Sequence, residues 1–263
     1  MDYRNIFDHT TGRLITSGDV EIYVEDIGNP DDPVLLMLHG GFGTIEDLNT
    51  ITPSLSRYFR LIGIDSRGHG RSDLGNTKLS YKTLTEDLKT VIDALELREF
   101  SIFGFSDGGV VAYRYATVKD TRLQKVVTVG ASWEMNENEP CWEMISGMTG
   151  EIWKGMFPAS YDTYMRLNPS PNFDAFSTRV VSMWTDLSPD GHPEESMRDV
   201  AADMLAIRGD NDFLTNLESM ARLKAMNNKV NFLNVPFADH VAFDESPEII
   251  LCAMGKFLGV ELK

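Results

Sequence analysis

The sequence predicts an α/β fold in which a mostly parallel, doubly wound sheet carries a helical cap insertion. Three observations lead to this prediction. Short apolar runs alternate with segments of helical periodicity. Two of these runs, at 33–41 and 60–70, end in glycines. The alternation stops near residue 132 and resumes near 201, so we expect an α/β core at 1–131 and 201–263 and a mostly helical insertion over the sheet at 132–200.

The predicted elements follow in chain order. A hairpin is expected over 13–28, with its turn at Ser17-Gly18-Asp19. Buried strands are predicted at 33–41, 60–70, 100–105, 125–131, 203–212 and 229–240. Helices are predicted at about 44–56, 80–97, 107–117, 215–227 and 247–258. Thr215 and Glu218 have the spacing of a capping box, which predicts that Thr215 caps the helix over 215–227.

The insertion differs in composition from the rest of the chain. It contains seven of the thirteen methionines and all four tryptophans, namely Trp133, Trp142, Trp153 and Trp184. This content favours an adaptable apolar lid over a binding site, with Trp133 as a candidate substrate contact. Residues 131–200 hold twelve acidic against four basic residues, which would let a cation approach.

Charge, hydropathy and cysteine spacing limit the classes of partner, the location and the metal sites that this sequence predicts. A formal net charge of −16 argues against nucleic acid and anionic membranes as partners. The N-terminal residues lack the basic and apolar regions of a signal peptide, and no run of eighteen apolar residues occurs, so we expect a cytoplasmic protein that does not span a membrane. The two cysteines lack metal-site spacing, and no metal is implied. A homo-oligomer is allowed by the sequence but not indicated.

The segment GFSDG at 104–108 matches G-x-S-x-G between a predicted strand and a predicted helix. A sharp turn at this place would project the hydroxyl of Ser106 above the sheet. Gly104 and Gly108 would remove the Cβ atoms that crowd such a turn. An ordinary N-capping serine is the alternative, but the order of elements favours a nucleophile at Ser106.

A serine nucleophile needs a base within hydrogen-bond reach. In this architecture the triad follows the order serine, acid, histidine, which leaves His192 and His240 among the five histidines. His240 follows the last predicted strand and would reach the carboxyl edge of the sheet, so it is the predicted base. His192 is expected to be a solvent-exposed loop residue. Asp210 and Asp212, after the preceding strand, are both candidates for the acid that orients the base.

Several motifs together resemble the α/β-hydrolase superfamily. They are HGGFG at 39–43, DSRGHGRS at 65–72, GFSDGG at 104–109, GDND at 209–212 and DHVAFDESP at 239–247. The SDGG form is similar to the valacyclovir-hydrolase-like (biphenyl-hydrolase-like) branch of serine esterases, and HGG followed closely by glycine is also seen in proline iminopeptidases. The resemblance implies the α/β-hydrolase fold, Asp212 as the triad acid in preference to Asp210, and no cofactor.

The same resemblance implies an oxyanion hole made of two backbone N–H groups. They belong to Asp107 and Gly41, with Phe42 as the second choice for the latter and as a further candidate substrate contact. The Asp107 carboxylate has two interpretations. It could stabilise the start of the helix through the helix dipole, or it could bind an ammonium group on the substrate.

The expected function is that of a cofactor-independent serine hydrolase that cleaves small carboxylic esters through an acyl-enzyme. Two alternatives stay open. One is an aminopeptidase or amidase of the proline-iminopeptidase type, and the other is a hydrolase-fold ligand-binding protein with little turnover.

Overall fold

Eight strands form a single sheet within residues 4–262, the part of the chain that this computed structural model describes. The strands are β1 (Arg13–Ser17), β2 (Val20–Ile27), β3 (Val34–Leu38), β4 (Arg60–Ile64), β5 (Phe100–Phe105), β6 (Leu123–Val129), β7 (Asp203–Gly209) and β8 (Val230–Val235). Their spatial order is β1-β2-β4-β3-β5-β6-β7-β8. The β1–β2 and β2–β4 pairs are antiparallel, and all other neighbours are parallel. The mostly parallel sheet is confirmed.

Helices cover both faces of this sheet. They are α1 (Thr52–Leu55), α2 (Tyr81–Ala94), α3 (Asp107–Thr117), α4 (Trp142–Ser146), α5 (Gly150–Met156), α6 (Pro158–Leu167), α7 (Phe173–Trp184), α8 (Leu217–Met226), α9 (Ala242–Glu245) and α10 (Pro247–Leu258). No helix within residues 4–262 combines the length and the hydropathy that crossing a bilayer requires.

Strand β3 shows why the strands are continuously apolar. Successive side chains of a strand point to opposite faces. Leu36 and Leu38 therefore join the apolar cluster on one face of the sheet, whereas Leu35 and Met37 join the cluster on the other. All four are almost completely buried, as expected for a strand with helices on both sides.

The helix predicted at about 44–56 is wrong as a single element. The chain instead forms a 3₁₀ turn at Ile45–Leu48 and then the short helix α1. Thr44 and Asp47 cap the 3₁₀ turn reciprocally through their side chains. Pro53 lies in the first turn of α1, where its missing N–H costs nothing, but inside a continuous helix it would remove a hydrogen bond and clash with the preceding turn.

The segment predicted as a cap connects β6 to β7. It contains α4, α5, α6 and α7, followed by a 3₁₀ turn at Glu194–Asp199. Helix α7 packs its buried face, which includes Phe176, Val180 and Met183, into the same apolar cluster as α2 and α3. Its last residue, Trp184, thereby reaches the first turn of α3, which lies beside Ser106.

The N-cap residue of α8 differs from the one that the sequence predicts. Asn216, and not Thr215, is the N-cap, and its side-chain oxygen accepts a hydrogen bond from the N–H of Glu218 at 2.9 Å. Thr215 is buried, and its N–H donates to Asp212 Oδ1 at 3.3 Å. Thr215 thus belongs to the loop that carries Asp212, and the helix begins one residue later than the capping-box spacing indicates.

Replacing Asn216 with alanine removes the N-cap hydrogen bond of α8, so we expect the free energy of unfolding to fall by about 1 kcal/mol. Thr215→Val keeps the side-chain shape and the backbone N–H that donates to Asp212, so it should lower the free energy of unfolding by less than the Asn216 substitution. Urea denaturation of the two variants tests this ranking. A larger loss of stability for Thr215→Val than for Asn216→Ala would show that Thr215 is the N-cap residue.

Candidate active site

Ser106 occupies a strained turn between the end of β5 and the start of α3. Its backbone has φ 50° and ψ −118°, a conformation that L residues rarely adopt. The crowding predicted for this turn is confirmed, because a Cβ on Gly104 would lie 2.4 Å from Gly108 O, and one on Gly108 would lie 2.5 Å from Leu38 O. The Ser106 side chain makes no capping hydrogen bond to α3. Its hydroxyl is therefore not used to cap α3.

Three side chains from distant parts of the chain form one hydrogen-bonded series. Ser106 Oγ lies 3.0 Å from His240 Nε2, and His240 Nδ1 lies 3.0 Å from each carboxylate oxygen of Asp212. Asp210, the other candidate acid, is exposed and instead accepts a hydrogen bond from the side chain of Asn234. The structure thus brings together Ser106, His240 and Asp212, and it leaves Asp210 outside the series.

The environment of Asp212 keeps its carboxylate ionised. Burial alone would raise the pKa of Asp212, but the hydrogen bond and charge of His240, together with the backbone N–H of Leu214, hold it below its ordinary value. The N–H groups of Leu214 and Thr215 donate to Oδ1 at 2.9 and 3.3 Å. A fixed anion of this kind can hold an imidazole in one tautomer and stabilise its protonated form.

Two backbone N–H groups near Ser106 are available to a ligand. Among the described residues, the N–H groups of Gly41 and Asp107 donate no hydrogen bond to another part of the chain. The N–H of Phe42, by contrast, donates to His69 Nε2 at 3.0 Å. The geometry therefore favours Gly41 over Phe42 as the partner of Asp107 in an oxyanion hole.

Buried polar side chains brace the loop that carries Gly41. His39 Nε2 accepts a hydrogen bond from the N–H of Ser66 at 3.0 Å, and Asp65 Oδ1 accepts one from the N–H of Ile45 at 3.1 Å. Asp65 also lies 2.8 Å from His9 Nε2. These contacts join the loop to the segment after β4, so the position of the Gly41 N–H is set by two adjacent parallel strands.

A cavity of about 100 Å³ opens beside Ser106 and His240. Its wall is largely apolar and comes from the predicted cap, with further residues from α2, α3 and the loops after β6 and β7. The cap supplies Met135, Met144, Ile145, Met148, Trp153 and Trp184. Trp153 and Trp184 were not singled out as contacts from the sequence, since nothing in their local patterns separates a cavity-lining tryptophan from one in the core of the cap.

Phe42 and Trp133, the two aromatic residues predicted to bind substrate, do not lie on the cavity wall. The ring of Phe42 stacks on Trp153 with 4.2 Å between centroids, so it supports the cap from below. Trp133 is buried and donates through Nε1 to Ser219 O at 3.0 Å, which ties the start of the cap to α8. Both assignments are corrected from substrate contact to packing.

The carboxylate of Asp107 lies on the cavity wall but is already hydrogen-bonded. Tyr81 donates its hydroxyl to Oδ1 at 2.7 Å, and Trp184 Nε1 lies 2.9 Å from both oxygens. Burial raises the pKa of Asp107, and these two donors partly oppose that rise. Asp107 therefore joins α2, α3 and the cap, which favours a structural role over an ammonium site.

His192 lies where the sequence did not predict it. The expectation of a solvent-exposed loop residue is wrong: the side chain is buried, lines the cavity, and packs edge-on against Tyr81 with 4.9 Å between ring centroids. Burial, helped by the charge of Arg114, lowers the pKa of His192 to about 3. The polar segment SPDGHP carries no periodicity that could have indicated this inward position.

Comparisons with known proteins agree with this architecture. Residues 33–172 match the sequence profile of the family described as alpha/beta hydrolase fold. AB hydrolase superfamily protein YisY of Bacillus subtilis is 35% identical over 121 residues, which are 44% of each chain. A protein named probable proline iminopeptidase from Streptomyces coelicolor is 28% identical over 68% of this chain and 60% of its own length.

A solved structure of a hydrolase from Pseudomonas aeruginosa superposes with a TM-score of 0.77 at 20% identity, over 96% of this chain and all of that one. This likeness concerns the fold. The chain spans only 34–44% of the length of three curated relatives that it matches at 31–35% identity.

The buried histidines predict how stability depends on pH. Burial also lowers the pKa of His69 to about 3, so both His69 and His192 stay neutral in the folded protein, whereas in the unfolded chain they titrate near 6.5. The unfolded chain therefore binds more protons below that pH, and stability should fall as the pH drops from 6.5 toward 3. His192→Phe should reduce this slope by up to about 1.4 kcal/mol per pH unit.

Urea denaturation at a series of pH values below 6.5 measures both slopes. Phe103→Leu is the matched control, because Phe103 is buried against Phe243 in the apolar cluster on the other face of the sheet, so its truncation should lower stability equally at every pH. An unchanged slope in His192→Phe would mean that His192 takes up its proton in the folded state.

Proposed function

Because the chain belongs to the family that has the alpha/beta hydrolase fold, we propose that it is a serine hydrolase that cleaves small carboxylic esters through an acyl-enzyme intermediate. The observation that carries this proposal is the continuous series from Ser106 through His240 to Asp212, with Ser106 held in a strained turn beside two free backbone N–H groups. The small apolar cavity beside Ser106 supports a small acyl group.

In the first half of the reaction, Ser106 Oγ attacks the ester carbonyl carbon while His240 Nε2 takes the hydroxyl proton. The carbonyl oxygen becomes an oxyanion, which the N–H groups of Gly41 and Asp107 would stabilise, each by about 3 kcal/mol. Asp212 stabilises the protonated His240. The tetrahedral intermediate then collapses, the bond to the alcohol oxygen breaks, and His240 gives its proton to the departing alcohol.

In the second half, water takes the place of the alcohol. His240 removes a proton from the water, the resulting hydroxide attacks the acyl carbon, and the bond to Ser106 Oγ breaks as His240 returns the proton to Ser106. The products are the carboxylic acid and the free enzyme. Each step uses the same histidine, first as a base and then as an acid.

Labelling with a fluorophosphonate, combined with turnover of p-nitrophenyl acetate and butyrate, tests the proposal. We expect covalent labelling at Ser106 and an initial burst of nitrophenol. A folded protein that shows neither label nor turnover would favour the ligand-binding alternative and reject the enzyme.

Because the three residues of the series act together, substitution of any one of them should remove most of the activity. We expect Ser106→Ala and His240→Ala each to lower kcat by at least about three orders of magnitude, and Asp212→Asn to cause a large loss as well. Asp210→Asn is the matched control, because this exposed neighbour lies outside the series and should keep most of the activity. Steady-state kinetics, with circular dichroism to verify folding, tests the ranking, and a larger loss for Asp210→Asn would reassign the acid.

An aminopeptidase or amidase is the second candidate, favoured by the acidic side chain on the cavity wall and by the likeness to a protein named as a proline iminopeptidase. The hydrogen bonds from Tyr81 and Trp184 count against it, since they already use the carboxylate of Asp107.

We therefore expect an α-amino ester to be hydrolysed no faster than its des-amino analogue, and amino-acid p-nitroanilides more slowly than the matching esters. Because Asp107 acts as a brace, Asp107→Asn should slow the α-amino and des-amino esters by the same factor. A preference for the α-amino ester that disappears in Asp107→Asn would instead establish an ammonium site.

A further inference from the structure

The side chain of His192 is a buried polar group for which the proposed mechanism has no use. It is 5% exposed and lines the same cavity as Ser106. Neither ring nitrogen has a hydrogen-bond partner among residues 4–262, and because only Nδ1 is fully shielded, Nε2 is the nitrogen that a group in the cavity can reach. Proteins pair nearly all buried polar atoms, because an unpaired one loses its hydrogen bonds to water without replacement. A polar atom of this kind on a cavity wall therefore indicates a partner supplied by the ligand.

The turn that carries His192 is held firmly against the core. Arg114, on the helix that follows Ser106, donates through Nη1 to the carbonyls of Pro189, Gly191 and His192. The N–H of Lys82, in the first turn of α2, donates to Asp190 O at 3.0 Å. The turn is thus fastened to both helices that border the cavity. The position of the imidazole is built into the fold and does not depend on a loose loop.

The other polar groups on this part of the wall already have partners. Tyr81 donates its hydroxyl to Asp107, and Asp107 also accepts from Trp184. Only His192 is left with a buried, unpaired nitrogen among the cavity-lining residues of the described chain. It is therefore the group on this side of the cavity best able to distinguish a polar ligand from an apolar one of the same shape.

We propose that His192 determines specificity through a hydrogen bond between its Nε2 and a hydroxyl group on the acyl portion of the ester, an inference that rests on the proposed esterase function. A hydroxyl suits either tautomer of a neutral imidazole, because it both donates and accepts. A carboxylate is disfavoured, since the Asp107 carboxylate shares the wall.

The acyl portion is chosen over the alcohol because of where His240 lies. His240 must deliver a proton to the departing alcohol, and its side chain is 22% exposed, so the alcohol lies on the more open side. His192 and Tyr81 are both buried, so they enclose the part of the substrate that stays attached to Ser106.

Three esters that differ only at the position of this contact test the proposal. The two enantiomers of p-nitrophenyl 3-hydroxybutanoate are compared with p-nitrophenyl 3-methylbutanoate, in which a methyl group replaces the hydroxyl at nearly the same volume. After normalisation to the rates of alkaline hydrolysis, we expect one hydroxy enantiomer to be favoured in kcat/KM by about 5- to 150-fold. This ratio of kcat/KM values is measured on the wild-type protein and requires no variant.

Variants then locate the preference. His192→Phe should bring the ratio close to one while the methyl ester is still hydrolysed, and His192→Gln, which retains a hydrogen-bonding side chain, should restore part of it. Met144→Leu on the apolar wall is the control and should change both rates by the same factor. A ratio that His192→Phe leaves intact would overturn the assignment to His192.

The outcomes separate this inference from the function on which it rests. Hydrolysis of the methyl ester with a wild-type ratio of one would overturn the hydroxyl site and leave the esterase proposal standing. A preference for a hydroxyl on the alcohol instead, measured with 3-hydroxybutyl and 3-methylbutyl butanoate, would overturn the acyl assignment. Absence of turnover on every ester, together with absence of fluorophosphonate labelling, would reject the esterase itself.

Discussion

The left-handed backbone at Ser106 is the constraint on which the rest of the site depends. Holding one residue in this conformation costs about 1–3 kcal/mol, and the strain persists only where the surroundings determine it completely. Here the carbonyl of Val129 on the neighbouring strand accepts from the N–H of Ser106 at 2.9 Å. The N–H of Gly108 donates to His39 O at 3.0 Å. The turn is thereby fastened to the strand on either side.

This tight turn also sets the spacing between the serine and the loop after β3. Gly108 lies so close to the end of β3 that no Cβ fits between them, and Gly41 follows that strand by three residues. The two free N–H groups are consequently positioned by backbone packing and not by flexible side chains. Rigid donors of this kind need no reorganisation when charge develops on a ligand, which is why they are effective in acyl transfer.

Parallel topology explains how residues far apart in the chain meet. Ser106, Asp212 and His240 each follow a strand, and the carboxyl ends of parallel strands lie at one edge of the sheet. The segment between β6 and β7 covers this edge, and aromatic side chains are among the groups that hold it to the core. Trp184 donates to Asp107, and Trp153 stacks on Phe42. The apolar cavity therefore lies between a rigid floor and a cap that is anchored through aromatic side chains.

Patterns among residues close together in the sequence were sufficient to predict the fold and most of its strands and helices. The strand–serine–helix turn follows from Gly104 and Gly108, and the order of motifs places Ser106, Asp212 and His240 at one edge of the sheet. The hydrogen bonds among these three side chains, and the choice of Gly41 over Phe42, required the positions of residues from separate loops. The inward position of His192, the pairing of Asp107 with Tyr81 and Trp184, and the burial of Trp133 likewise depend on contacts between segments remote in the chain. Local composition determines which element a residue joins, whereas tertiary packing alone decides which polar groups find partners and which face the cavity.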